Sequence, residues 1–158
     1  MLDTGIRLME VSTLCLNDLY SDNRCFRVQG KGDKQRLVPF GQTCQEIIMR
    51  YLSACPFNDG EHIFFNRRGK PISNNCMKLF FNKLSHSLPF ELSAHRCRHN
   101  FATDYVLHDL DNGGSGGVER LQLIMGHSEI KTTQIYLHDA LQIKAAQNSF
   151  SKLDSIAW

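Results

Sequence analysis

Six residues in four separated stretches carry groups suited to chemistry on an anion. They are Arg7 in TGIRLME, Lys31 in GKGDKQRLVPF, His95 and Arg98 in HRCRH, and His127 and Tyr136 in MGHSEIKTTQIYLH. A guanidinium is planar, permanently charged and donates in a fork, so Arg7 and Arg98 together would clamp the non-bridging oxygens of a phosphodiester. Donors fixed in advance where charge develops are worth several kcal/mol to a transition state. A lysine ammonium between two glycines of a turn, as at Lys31, can reach a groove and donate a proton. A tyrosine oxygen can form a covalent intermediate, which makes Tyr136 a candidate nucleophile. Taken singly, each residue also has an ordinary explanation. Arginines and turn lysines usually face solvent, a tyrosine on a short helix usually packs in the core, and His127, following a glycine, reads as a helix-end histidine.

The elements that would position these groups follow from apolar periodicity. Residues 6–19 suit a short helix and a turn. Residues 24–29 alternate (Phe26 and Val28 apolar, Arg27 and Gln29 polar), residues 30–33 turn, and 36–40 form a second strand, giving a hairpin with Lys31 at its tip. Helices are expected over 42–54, 74–86, 94–110 and 118–126. A short helix over 130–137 and a last one over 139–149 complete the chain. A second small hairpin is expected from 62–65 and 70–72 around Asn66–Gly69. On the helix 94–110, Ala94, Cys97, Phe101 and Tyr105 fall on one apolar stripe. His95 and Arg98 project from the stripe's edge at i and i+3, so both can reach one ligand. Residues 111–117 (DNGGSGG) read as a flexible glycine-rich loop. The sum is an α+β domain, mainly helical, with a small antiparallel sheet.

Composition bounds the function without naming it. The 158 residues suffice for one domain with its own core. No apolar run is long enough for a transmembrane helix, and the start lacks the pattern of a signal peptide. Six cysteines without a CxxC pair read as reduced, mostly buried thiols of a cytosolic protein. The formal charge of +2 permits a nucleic-acid partner and does not argue for one. A metal site from His95 and His99 is disfavoured, because the nearby carboxylates and thiols lack metal-ligand spacing.

Joined in order, the four stretches resemble the tyrosine recombinase (phage integrase) family. TGIRLME is similar to the first arginine box, GKGDKQRLVPF to the lysine-bearing hairpin, and HRCRH to the second arginine box. MGHSEIKTTQIYLH resembles the segment from the Gly-His pair to the nucleophilic tyrosine. The resemblance covers most of the chain and implies the following roles. Arg7, Arg98, His95 and His127 would hold the scissile phosphate, His95 also exchanging a proton with the tyrosine. Tyr136 would attack to give a 3′-phosphotyrosine link, Lys31 would protonate the departing 5′-oxygen, and Glu10 would support Arg7. No metal or other cofactor is implied, since cationic side chains take the place of a metal ion. The implied partner is a double-stranded DNA recombination site, bound by a homotetramer of the full-length protein in the prokaryotic cytoplasm or nucleoid. Against the family pattern, residues 1–158 are expected to form the catalytic domain without the core-binding domain and opening helix. The stretch between Arg98 and His127 is longer than usual, and Cys97 replaces a leucine. Two alternatives share the motifs: a type IB topoisomerase-like strand transferase and an inactive DNA-binding remnant. Apolar residues beyond the tyrosine (Leu141, Ile143, Phe150, Leu153, Ile156, Trp158) suit packing either within the chain or onto a neighbouring subunit.

Overall fold

The computed structural model describes residues 1–30, Gly32 and residues 34–147. Lys31, at the hairpin tip, and the apolar residues Phe150, Leu153, Ile156 and Trp158 lie outside the described residues. Helix α1 (Leu8–Ser12) is followed by a 3₁₀ turn (Leu16–Asp18) and strands β1 (Leu19–Tyr20), β2 (Cys25–Gln29) and β3 (Gln35–Pro39). Helices α2 (Gln42–Ala54), α3 (Asn74–His86), α4 (Ala94–Asp111), α5 (Val118–Met125) and α6 (Ile130–Gln147) follow.

The strands form one antiparallel sheet in the order β1-β2-β3, with Phe26 facing Val38 and Val28 facing Arg36. Alternation puts Phe26, Val28 and Val38 inward, where they join Ile6, Leu14, Phe40, Ile48 and Ile63 in one hydrophobic core. A second core joins α4, α5 and α6 through Ala102, Val106, Leu121, Met125, Tyr136 and Ala140. Ser73 and Ser93 cap α3 and α4, their hydroxyls accepting from the N–H groups of Cys76 and Arg96. Gly126 ends α5 at φ +64°, a conformation natural to glycine, and so turns the chain sharply into His127.

Three expectations need correction. The helices expected over 130–137 and 139–149 are one, α6, because no glycine or proline interrupts the chain at His138. The second hairpin is shorter than expected: the Asn66 N–H donates to the Lys70 carbonyl and the Ile72 N–H to the Phe64 carbonyl around a single bridge from Phe65 to Pro71, while Ile63 pairs instead with Leu14. On α4 the buried face is Cys97, Arg98, Ala102, Thr103 and Val106, so Arg98 is part of the buried face rather than its edge, and Phe101 and Tyr105 are only half-buried.

The glycine-rich stretch is tied to α4 through Asp109. Its carbonyl accepts from the Gly114 N–H, and its carboxylate accepts from the Gly116 N–H at 2.9 Å. Gly116 and Gly117 are buried. No described helix is long and apolar enough to cross a membrane.

Candidate active site

The seam between the two cores gathers four of the six singled-out residues. Gly5 takes φ +58° against the ring of Phe101, where any side chain would collide, and this aims its carbonyl at α4. The Arg98 guanidinium donates to that carbonyl and, at 2.6 Å, to the carbonyl of Met125 at the end of α5. Its Nη2 also lies 3.1 Å from Nε2 of His127. Arg98 is therefore 8% exposed and held from three segments. Arg7 donates to the Gly126 carbonyl at 2.9 Å and to Glu10 at 3.0 Å, leaving the rest of its fork unused by these bonds.

A third guanidinium completes the cluster, and sequence reading did not single it out. Arg36 sits on β3 beside the inward-facing Val38. It makes a two-pronged pair with Glu10 (2.7 and 2.8 Å) and donates from Nε to the Ile124 carbonyl at 2.7 Å. The available signal was strand alternation, which puts Arg36 on the buried face of β3, where an arginine requires a carboxylate. Glu10 supplies it, also accepting the Arg7 N–H at 2.8 Å. Burial alone would raise the Glu10 carboxyl, but hydrogen bonds from Arg36 and Arg7 hold it below its ordinary value. Glu10 thus fastens the hairpin that carries Lys31 to the segment that carries Arg7.

The resulting field is positive. Burial, with Arg7 and Arg36 nearby, lowers the Arg98 guanidinium to about 10. Burial and then Arg98, Arg7 and Arg36 lower His127 to about 4, so its ring is neutral near pH 7. With Nε2 accepting from Arg98, the proton sits on Nδ1, which is 2.9 Å from the hydroxyl of the fully buried Thr133. Thr133 is a second residue that sequence reading passed over. It lies one turn before Tyr136 on α6, within the quoted motif.

Tyr136 is 8% exposed and packs between two histidines. Its ring lies 5.1 Å from that of His99 and nearly parallel to that of His127 at 6.3 Å. Burial raises its hydroxyl above the ordinary value, and Arg98 partly offsets this. In front of the cluster opens a cleft of about 570 Å³ lined by Arg7, Lys34, Arg36, His127 and Thr132 among others. Neither Arg98 nor Tyr136 lines it. His95 is not brought to the cluster. It is exposed on the first turn of α4 and borders a different depression with Leu8, Phe81 and Glu91.

Arg7 and Arg36, hydrogen-bonded to the single carboxylate of Glu10 at the mouth of a cleft, together with the buried Arg98 and Tyr136, form a positively charged site suited to an anion and holding a tyrosine oxygen. The phage integrase family model matches residues 1–142, and the chain belongs to that family. It is 36% identical over 138 residues to tyrosine recombinase XerC of Leptospira interrogans (serovar copenhageni), covering 85% of this chain and 42% of that protein. It is also 36% identical to tyrosine recombinase XerD of Corynebacterium glutamicum, over 85% of this chain and 44% of that one. The chain thus spans less than half the length of these relatives. Among solved structures, the XerA recombinase superposes with a TM-score of 0.76 at 28% identity, over 95% of this chain and 56% of that one. The catalytic domain of bacteriophage HP1 integrase superposes with a TM-score of 0.59 at 25% identity, over 99% of this chain and 81% of that one. The mainly helical fold with its three-stranded antiparallel sheet is that of tyrosine recombinase catalytic domains.

Proposed function

We propose that this chain carries the strand-transfer centre of a site-specific DNA recombinase acting on a double-stranded DNA recombination site. The observation that carries the reading is the excess of positive charge at Arg7, Arg36 and Arg98 over Glu10, next to Tyr136. A phosphodiester supplies the missing negative charge. Arg7 lines the cleft and has donors beyond its bonds to Glu10 and Gly126, and Arg98 lies near it. Tyr136 attacks the phosphorus and loses its proton, the bond to the 5′-oxygen breaks, and a 3′-phosphotyrosine link forms. Lys31 delivers a proton to the departing 5′-oxygen. The new ester conserves the energy of the old one, so rejoining is the same reaction reversed.

His127 stabilises the charge that develops on the phosphate. The incoming anion opposes the field that keeps the ring neutral, so bound DNA raises the affinity of His127 for a proton and lets Nε2 donate. The role of His95 rests on the family motif alone, because it stands apart from the cluster before DNA binds. Tyr136, nearly buried, must be uncovered when α6 meets DNA. We further propose that four copies of the full-length protein assemble on DNA in the cytoplasm.

DNA with a bridging 5′-phosphorothiolate tests this reading. Its sulfur leaves without needing a proton and does not rejoin, so the covalent complex accumulates. The parent chain is expected to give a protein–DNA adduct on a denaturing gel, and Tyr136→Phe none. Lys31→Ala is expected to react with the sulfur substrate but poorly with ordinary DNA. An adduct with Tyr136→Phe overturns the assignment.

A further inference from the structure

Outside that site, the structure brings a thiol, an imidazole and a carboxylate to one point. Cys15 lies between α1 and the 3₁₀ turn, and residues 61–63 follow the loop after α2. An isolated antiparallel bridge pairs Cys15 with His62. It is flanked by Leu16 N–H to the Glu61 carbonyl (2.7 Å) and Ile63 N–H to the Leu14 carbonyl (3.2 Å). Cys15 and His62 are therefore a non-hydrogen-bonded pair, the arrangement in which facing side chains approach most closely. The Cys15 sulfur, a ring nitrogen of His62 and a carboxylate oxygen of Glu61 all lie within 4.8 Å of one another.

We propose that Cys15, Glu61 and His62 form a site for a Zn²⁺-like divalent cation, with water completing a four-coordinate shell. The donor set is one that borderline-soft Zn²⁺ accepts. The surroundings carry the argument past proximity. Asp59 accepts the backbone N–H groups of Glu61 and His62 on one oxygen (3.0 and 2.8 Å) and meets Nδ1 of His62 with the other at 2.8 Å. A carboxylate on one ring nitrogen fixes the tautomer and leaves Nε2 with its lone pair, the usual support of a metal-bound histidine. On binding, the thiol gives up the hydrogen it shares with the Thr13 carbonyl at 3.6 Å, and that proton leaves to solvent. The recombinase reading assigns no role to these residues.

Titration of the 158-residue chain with Co²⁺, followed by absorbance, tests the site. The expected result is a thiolate-to-cobalt band saturating at one ion per chain and abolished by added Zn²⁺. Cys15→Ser should lose the band, and His62→Ala should weaken binding about tenfold or more. Asp59→Asn should keep the band with affinity lowered about 10–100-fold. Circular dichroism establishes that each variant is folded. If one is not, Glu61→Gln, at an exposed position, takes its place, with weakened binding expected. No band from the folded parent, or the same band and affinity in Cys15→Ser or Glu61→Gln, overturns the proposal. Unchanged affinity in Asp59→Asn removes the supporting role of Asp59.

Discussion

Replacing Glu10 with glutamine should destabilise the free protein yet improve its hold on small anions. Glu10 is 6% exposed and accepts from the Arg7 backbone and side chain and from both Nη atoms of Arg36. Glutamine keeps one oxygen acceptor, turns the other acceptor into a donor facing guanidiniums, and leaves three positive charges without a counter-charge. Breaking a buried ion pair from one side costs about 3–5 kcal/mol. Because Arg7 is substantially exposed, the lower end, about 3 kcal/mol, is expected. For a domain of this size that is a fall in Tm of roughly 6–12 °C. An anion held between Arg7, Arg36 and Arg98 supplies the lost charge, so sulfate should restore part of the deficit. At a hundred times its dissociation constant a ligand adds about 2.7 kcal/mol. The assay is thermal unfolding of parent and Glu10→Gln in chloride and in sulfate at equal ionic strength. Equal melting temperatures, or a sulfate response no larger in the variant than in the parent, would refute the view that Glu10 balances this cluster.

Thr133→Val removes the Nδ1 partner of His127 at nearly constant volume. With about 1 kcal/mol of hydrogen bond lost, single-turnover DNA cleavage should slow about fivefold while the fold, read by circular dichroism, is retained. Gly5→Ala places a side chain against Phe101 in a left-handed backbone conformation and should destabilise the chain by more than about 1–2 kcal/mol, measured by urea unfolding. The pH dependence follows from His127, at about 4 folded against an ordinary 6.5. Between those values the unfolded chain binds a proton the folded one refuses, so stability falls as pH drops from about 6.5 toward 4. His127→Asn should flatten that part of the pH–stability curve.

How much of this was legible beforehand varies by element for physical reasons. The hairpin and α2 to α5 were readable because each repeats apolar residues at its own period between clear turn residues. The break expected at His138 does not occur, because nothing there stops a helix and α6 runs on to Gln147. Strand β1 escaped notice because two residues, Leu19 and Tyr20, show no period. At the site, Arg7, Arg98, His127 and Tyr136 were found through spacing and family likeness and do come together. Arg36 was visible as an arginine on the inward side of β3, but its partner Glu10 is remote in sequence, and only the packing of α1 against the sheet joins them. Thr133 looked like one of two β-branched helix residues. His95, expected beside Arg98, faces solvent elsewhere, because three positions along a helix leave an angular gap that a buried Arg98 cannot close.

The most direct measurement is the identity of the residue that becomes covalently attached to DNA. An adduct formed with phosphorothiolate DNA would be digested with trypsin and nuclease, and the nucleotide-bearing peptide sequenced by tandem mass spectrometry. The account predicts a 3′-linked nucleotide on the peptide spanning residues 132–144, attached at Tyr136. Attachment at Tyr20, Tyr51 or Tyr105, or at any other residue, would contradict it.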